Sequence, residues 1–170
     1  MIVHTSRITK GFGEIRKNIL AFNNACLITP YLVLTDLDNN ACAPGLIIDW
    51  MQNRYCHQQL WFRVAVREVE AWLLAHRQAI ADFFQVQINL IPQHPEQLPD
   101  PKRELIALAT RCRNASRRKA IVPIGMAKQG PDYNSEMLMF VRDFWNPEHA
   151  RQFSESLDRA IIKMLAIIRE

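Results

Sequence analysis

Asp36 and Asp38 stand one residue apart at the end of the apolar run YLVLT (31–35). Carboxylate oxygens are hard donors, and two of them at the mouth of a strand suit Mg²⁺ or Mn²⁺. A second pair of acids, Glu68 and Glu70, follows another apolar run, LWFRVAV (60–66). Ligands of an open parallel sheet bind beyond the carboxyl ends of its strands, so both pairs are expected at one crevice. Four carboxylates there repel one another unless a cation neutralises them, which makes Mg²⁺ or Mn²⁺ the expected cofactor. Two residues apart on one helix, Glu68 and Glu70 would point roughly 200° from each other. Glu70, which precedes the AWLLA run, is the one expected to face the ion, leaving Glu68 solvated or paired with Arg67 or Arg63. The expected catalytic and metal-holding set is therefore Asp36, Asp38 and Glu70. The alternative is that residues 36–40 cap the helix that follows and favour its positive end, which needs no metal.

A basic constellation lies further along. RCRNASRRK (111–119) holds Arg111, Arg113, Arg117, Arg118 and Lys119. Such density neutralises several phosphates and gives salt-dependent, sequence-indifferent nucleic-acid binding; the competing reading is a solvated basic face or a set of pairs to nearby acids. Lys102, Arg111, Arg117 and Arg118 are the expected phosphate-contacting residues. The net charge of +4 and pI near 9.0 mildly favour an anionic partner. A glycine turn before a helix, GFG (11–13), presents backbone N–H groups that suit an anion. The four cysteines, Cys26, Cys42, Cys56 and Cys112, form no C-x-x-C pair and read as reduced thiols.

The elements that position these residues follow from periodicity. With 170 residues, 49% of them hydrophobic, the chain is expected to form one domain. MIVHT (1–5) reads as a short strand, and Ile15, Ile19, Leu20 and Phe22 give a helix after it. YLVLTD lacks alternation, as in a strand buried on both faces. Pro44 opens a helix with Leu46, Ile47 and Trp50 on one face. After the second strand, Val69, Trp72, Leu73, Ile80, Phe83 and Phe84 keep one helical period; Trp72, Leu73 and Leu74 read as core. The order implies an α/β fold with an open, mainly parallel sheet over residues 1–91. The prolines of IPQHPEQLPDP (91–101) mark a connection to a mostly helical extension, 101–170, packed on the core. In that extension Asn146 and Pro147 begin a last helix with Leu157, Ile161, Leu165 and Ile168 as its stripe. No apolar stretch is long enough to span a bilayer and the start is unlike a signal peptide, so no membrane association and a cytoplasmic location are expected.

TDLD, RVAVREVEAWLLA, DPK, GPDYN and SESL together resemble an uncharacterised bacterial family with a Toprim-like core, over nearly the whole chain. Toprim is the metal-binding α/β domain of topoisomerases, DnaG-type primases and OLD-family nucleases. The resemblance implies a single Toprim-like domain in which Asp36 and Asp38 match the D-x-D pair that holds magnesium. It implies a nuclease acting on DNA or RNA by metal-assisted phosphoryl transfer, encoded beside an ABC- or SMC-like ATPase and serving defence against foreign DNA. A Toprim site also uses a glutamate after its first strand. The only acid before Tyr31 is Glu14, which the periodicity assigns to a helix. That departure supports the alternative of a catalytically inactive regulatory or nucleic-acid-binding subunit of the ATPase. A haloacid-dehalogenase-like phosphatase also fits LVLTDLDNN, although Asn40 stands where that motif wants Thr or Val.

Overall fold

The computed structural model describes residues 12–168, and within them the chain is mixed α/β. The expected strand at 1–5 and Gly11 of the GFG turn lie outside the described residues. Helix α1 (Phe12–Ala25) leads to strand β1 (Tyr31–Asp36), α2 (Ala43–Trp50) and strand β2 (Leu60–Ala65). The two strands pair in parallel, from Tyr31 opposite Leu60 to Asp36 opposite Ala65, so their carboxyl ends coincide. The connection between them carries the expected helix: Pro44 lies in the first turn of α2, and Leu46 and Trp50 face inward.

Contrary to the two-sided burial expected of it, β1 alternates. Val33 and Thr35 are buried, whereas Leu32 and Leu34 are 49% and 43% exposed. Apolar residues on both faces of a strand raise its β-propensity but do not by themselves say that both faces are covered.

The helical period read from Val69 to Phe84 is split into α3 (Val69–Ala75) and α4 (Arg77–Phe84) at His76, whose ψ of 69° interrupts the helix. There the His76 Nδ1 accepts the N–H of Asn146. The proline-rich stretch is a connection with two 3-10 turns (Ile88–Leu90 and Pro95–Gln97). Pro101 does enter a regular element, in the first turn of α5 (Pro101–Thr110), where its missing N–H costs nothing. Next come α6 (Ala115–Ile121) and α7 (Tyr133–Asp143).

The expected last helix is two. Asn146 caps α8 (Pro147–Ala150) by accepting from the Glu148 N–H. A 3-10 turn and the extended residue Ser154 follow, and α9 (Glu155–Ile168) begins afresh. Leu157 and Ile161 of the anticipated stripe are buried, but Leu165 is 40% exposed.

Among the described residues, apolar side chains gather in three clusters. The first joins α1, both strands and α2 through Ile19, Val33, Trp50 and Phe62. The second joins α3 to α7 through Leu74, Phe83, Phe84, Leu105 and Phe140. The third seats α9 against α3 through Trp72, Ala75, Leu157 and Ile161. Trp72, Leu73 and Leu74 are core, as expected. Among the described residues no helix is long and apolar enough to cross a membrane.

Candidate functional site

The loops that leave the two strands are stitched together. Beyond the ladder, Leu37 N–H donates to the Ala65 carbonyl and Asp38 N–H to the Arg67 carbonyl, both at 2.9 Å. The Arg67 guanidinium returns a hydrogen bond to the Asp38 carbonyl at 3.1 Å. Asp38 takes a left-handed φ of 50°, which aspartate tolerates better than most residues. Asp36, Asp38, Glu68 and Glu70 thereby share the carboxyl end of the sheet.

Asp36 does cap a helix, but not the one that follows it. Its Oδ1 accepts the N–H of Val69, the first residue of α3, at 2.8 Å. Helix α2 is capped instead by Cys42, whose Sγ accepts from the Gly45 N–H. Burial raises the Asp36 carboxyl from 3.8 to about 6 against the lowering effect of the Val69 N–H, and the charges of Glu70, Asp38 and Glu68 push it the same way as burial. Asp36 thus exchanges its proton close to neutrality.

Glu68 precedes α3 with extended backbone, φ −137° and ψ 159°. The helical separation of 200° therefore does not apply to it and Glu70. It pairs with neither Arg67 nor Arg63; its Oε2 accepts the backbone N–H of Lys102 at 2.9 Å, at the start of α5. Its carboxyl is also raised, by burial first and then by Glu70, Asp100 and Asp38.

Glu70 is 7% exposed. Its Oε1 accepts the Tyr133 hydroxyl at 2.9 Å, and the Lys102 ammonium stands 3.7 Å from the same oxygen. That ammonium also lies 4.6 Å from the centre of the Tyr133 ring. Burial and the Glu70 charge hold the Tyr133 phenol protonated far beyond its ordinary range, so it is a fixed donor.

An isolated tyrosine carries no spacing signal, so residue type alone does not mark Tyr133. Its one sequence mark is the GPDYN segment, whose glycine has a structural reason. A Cβ on Gly130 would lie 2.2 Å from the Ala120 carbonyl oxygen. That close approach lets Gly130 N–H reach the Ile121 carbonyl at 2.8 Å and Asp132 N–H the Ala120 carbonyl at 3.0 Å, which delivers Tyr133 to the first position of α7.

SESL has an equally concrete role. Ser156 Oγ accepts the Trp72 indole N–H at 2.7 Å and the Val66 N–H at 3.3 Å, and donates to Glu96 Oε1. The same Glu96 oxygen takes the Ser154 hydroxyl and the Ser156 N–H. The proline-rich connection and the start of α9 are thus fastened to the end of β2, beside the acids.

The basic segment divides. Arg117 binds the Phe83 carbonyl and Glu136 and lies over the Phe83 ring, 3.8 Å from its centre. Arg118 donates to the Cys112 carbonyl at 2.6 Å. Both are fastened within the fold. Arg111 and Arg113 are exposed and line an open cleft of about 530 Å³ together with Asp82, Gln85, Val86 and Leu90; the cleft shares no residue with the acidic cluster. Of the four expected phosphate contacts, only Lys102 borders the acids.

Among the described residues, no group of three or more His, Cys, Asp or Glu side chains is disposed to hold a metal ion. Mg²⁺ seldom asks for such a cage, since it keeps several waters and is commonly held by one or two carboxylates together with substrate phosphates. The oxygen-only character of Asp36 and Asp38 fits that mode of binding, whereas Glu70 Oε1 is taken up by Tyr133 and Lys102. No family model, curated protein or solved structure matches the chain.

Proposed function

We propose that the chain is a Toprim-like, metal-dependent phosphodiesterase acting on DNA or RNA, with Mg²⁺ or Mn²⁺ as cofactor and an ABC- or SMC-like ATPase as partner in defence. The observation that carries this reading is the meeting of Asp36, Asp38, Glu68 and Glu70 at the carboxyl end of the parallel pair, with the Lys102 ammonium against Glu70.

Asp36 and Asp38 hold the metal in this reading. When bound, the ion lowers the pKa of a coordinated water and offsets charge on the scissile phosphate. Lys102 neutralises a phosphate oxygen as a point charge. Glu70 anchors Lys102. Arg111 and Arg113 offer a second patch for phosphates in the separate cleft.

The test is cleavage of plasmid DNA and of a mixed-sequence RNA by the purified chain with Mg²⁺, Mn²⁺ or EDTA. Metal-dependent cleavage lost in Asp36→Ala is expected. A second reading, the inactive regulatory or nucleic-acid-binding subunit, draws on the hydrogen bonds that already occupy one oxygen each of Asp36, Glu68 and Glu70. Salt-dependent binding of either nucleic acid without cleavage under any metal would favour it.

A further inference from the structure

We propose that Tyr133 is a positioning residue that keeps the Lys102 ammonium available to a phosphate oxygen, an inference that rests on the phosphate-contacting role given to Lys102 above. A lysine beside a buried carboxylate ordinarily closes on it as a charge-assisted hydrogen bond of about 2.8 Å, which commits one of its three N–H donors and draws the ammonium onto that carboxylate. Here the separation is 3.7 Å, an ion pair beyond hydrogen-bond reach.

Tyr133 accounts for the gap in two ways. Its hydroxyl takes one acceptor site of the very oxygen, Glu70 Oε1, that faces the ammonium, and so competes for it. Its ring offers a π-face 4.6 Å from Nζ, which attracts the cation without consuming an N–H. The Lys102 backbone is fixed as well, through its N–H to Glu68. Three elements converge on one charge: α3 supplies Glu70, α5 supplies Lys102 and α7 supplies Tyr133. The ammonium is tethered beside the ring and the carboxylate, with donors left for an incoming anion. The side chain is one-third exposed, so such an anion can reach it.

Tyr133→Phe tests this, because it keeps the ring and frees Glu70. Lysines are ¹³C-dimethylated and the Lys102 resonance is assigned by its loss in Lys102→Met. In the wild-type protein that resonance is expected upfield of the other lysines because of the ring below it. In Tyr133→Phe it should move as the ammonium closes on Glu70. Binding of a fluorescent mixed-sequence single-stranded oligonucleotide, with Ca²⁺ in place of Mg²⁺, supplies the second readout. Lys102→Met should weaken it about tenfold, the scale of one charge-assisted contact. Tyr133→Phe should weaken it several-fold, with no further loss when added to Lys102→Met. An unmoved Lys102 resonance in Tyr133→Phe, or an equal loss of affinity in both backgrounds, overturns the positioning role. Unchanged affinity in Lys102→Met overturns instead the phosphate role on which it rests.

Discussion

At the scale of the residue, Asp36 serves two demands that oppose each other. As a hydrogen-bond acceptor it fixes the start of α3, and as a half-buried acid among acids it resists ionisation. With a folded-state value of about 6 against 3.8 in the open chain, the folded protein holds a proton that the unfolded protein has released. Stability from this group is therefore highest below about pH 4, falls as pH rises through the interval to about 6, and then stays level. Asn keeps the acceptor and removes the charge. Asp36→Asn should melt with the wild type at pH 3.5 and above it at pH 7.5, by ~1–2 kcal/mol after allowance for solvent screening. Thermal melts across this range check the sign; a difference that shrinks as pH rises would refute it. Mg²⁺ binding only the folded form should recover the deficit at pH 7.5 by mass action, and the recovery should be lost in Asp38→Asn.

At the scale of the element, the structure depends on two short segments, one that joins α6 to α7 and one that fastens the start of α9 to the sheet end. Gly130→Ala places a methyl carbon on the Ala120 carbonyl, so the turn between α6 and α7 must open. We expect a loss of about 2–4 kcal/mol in urea unfolding, the range for overpacking against backbone. Ser156→Ala leaves the Trp72 indole and the Val66 N–H without their acceptor, and about 2 kcal/mol should be lost. The sequence was most legible where one element answers to one local signal. The two strands, the Pro44 start of α2 and the Asn146 cap are of that kind. It was least legible where a distant group decides: the breaks at His76 and Ser154 sit beside partners 70 and 58 positions away, Asn146 and Glu96. The acids show the same division. Asp36 and Asp38 announced themselves by spacing, whereas the partners of Glu68 and Glu70 come from α5 and α7, which no local pattern could supply.

At the scale of the whole molecule, the basic charge is not one surface. Arg117 and Arg118 fasten α6 to its neighbours, and Arg111 and Arg113 face the open cleft. Arg117→Ala should cost about 2–3 kcal/mol in denaturant titration. Arg111→Ala with Arg113→Ala should leave the melting temperature within a degree or two while flattening the salt dependence of oligonucleotide binding. A salt slope unchanged in that double variant would assign the cleft arginines to the protein surface alone. The three separate apolar clusters bear, finally, on how the molecule opens. The sheet cluster takes its members from residues 15–66 and the helical cluster from 73–145, while α3 sends Leu73 and Leu74 into the helical cluster and Trp72 and Ala75 into the third, against α9. In native-state deuterium exchange, two cooperative units are expected, β1 with α1 and β2 in one and α4 to α7 in the other, each with its own denaturant dependence. The amides of α3 should outlast the opening of α4 to α7 wherever α9 stays docked, because that helix is released only when both the helical unit and α9 have let go.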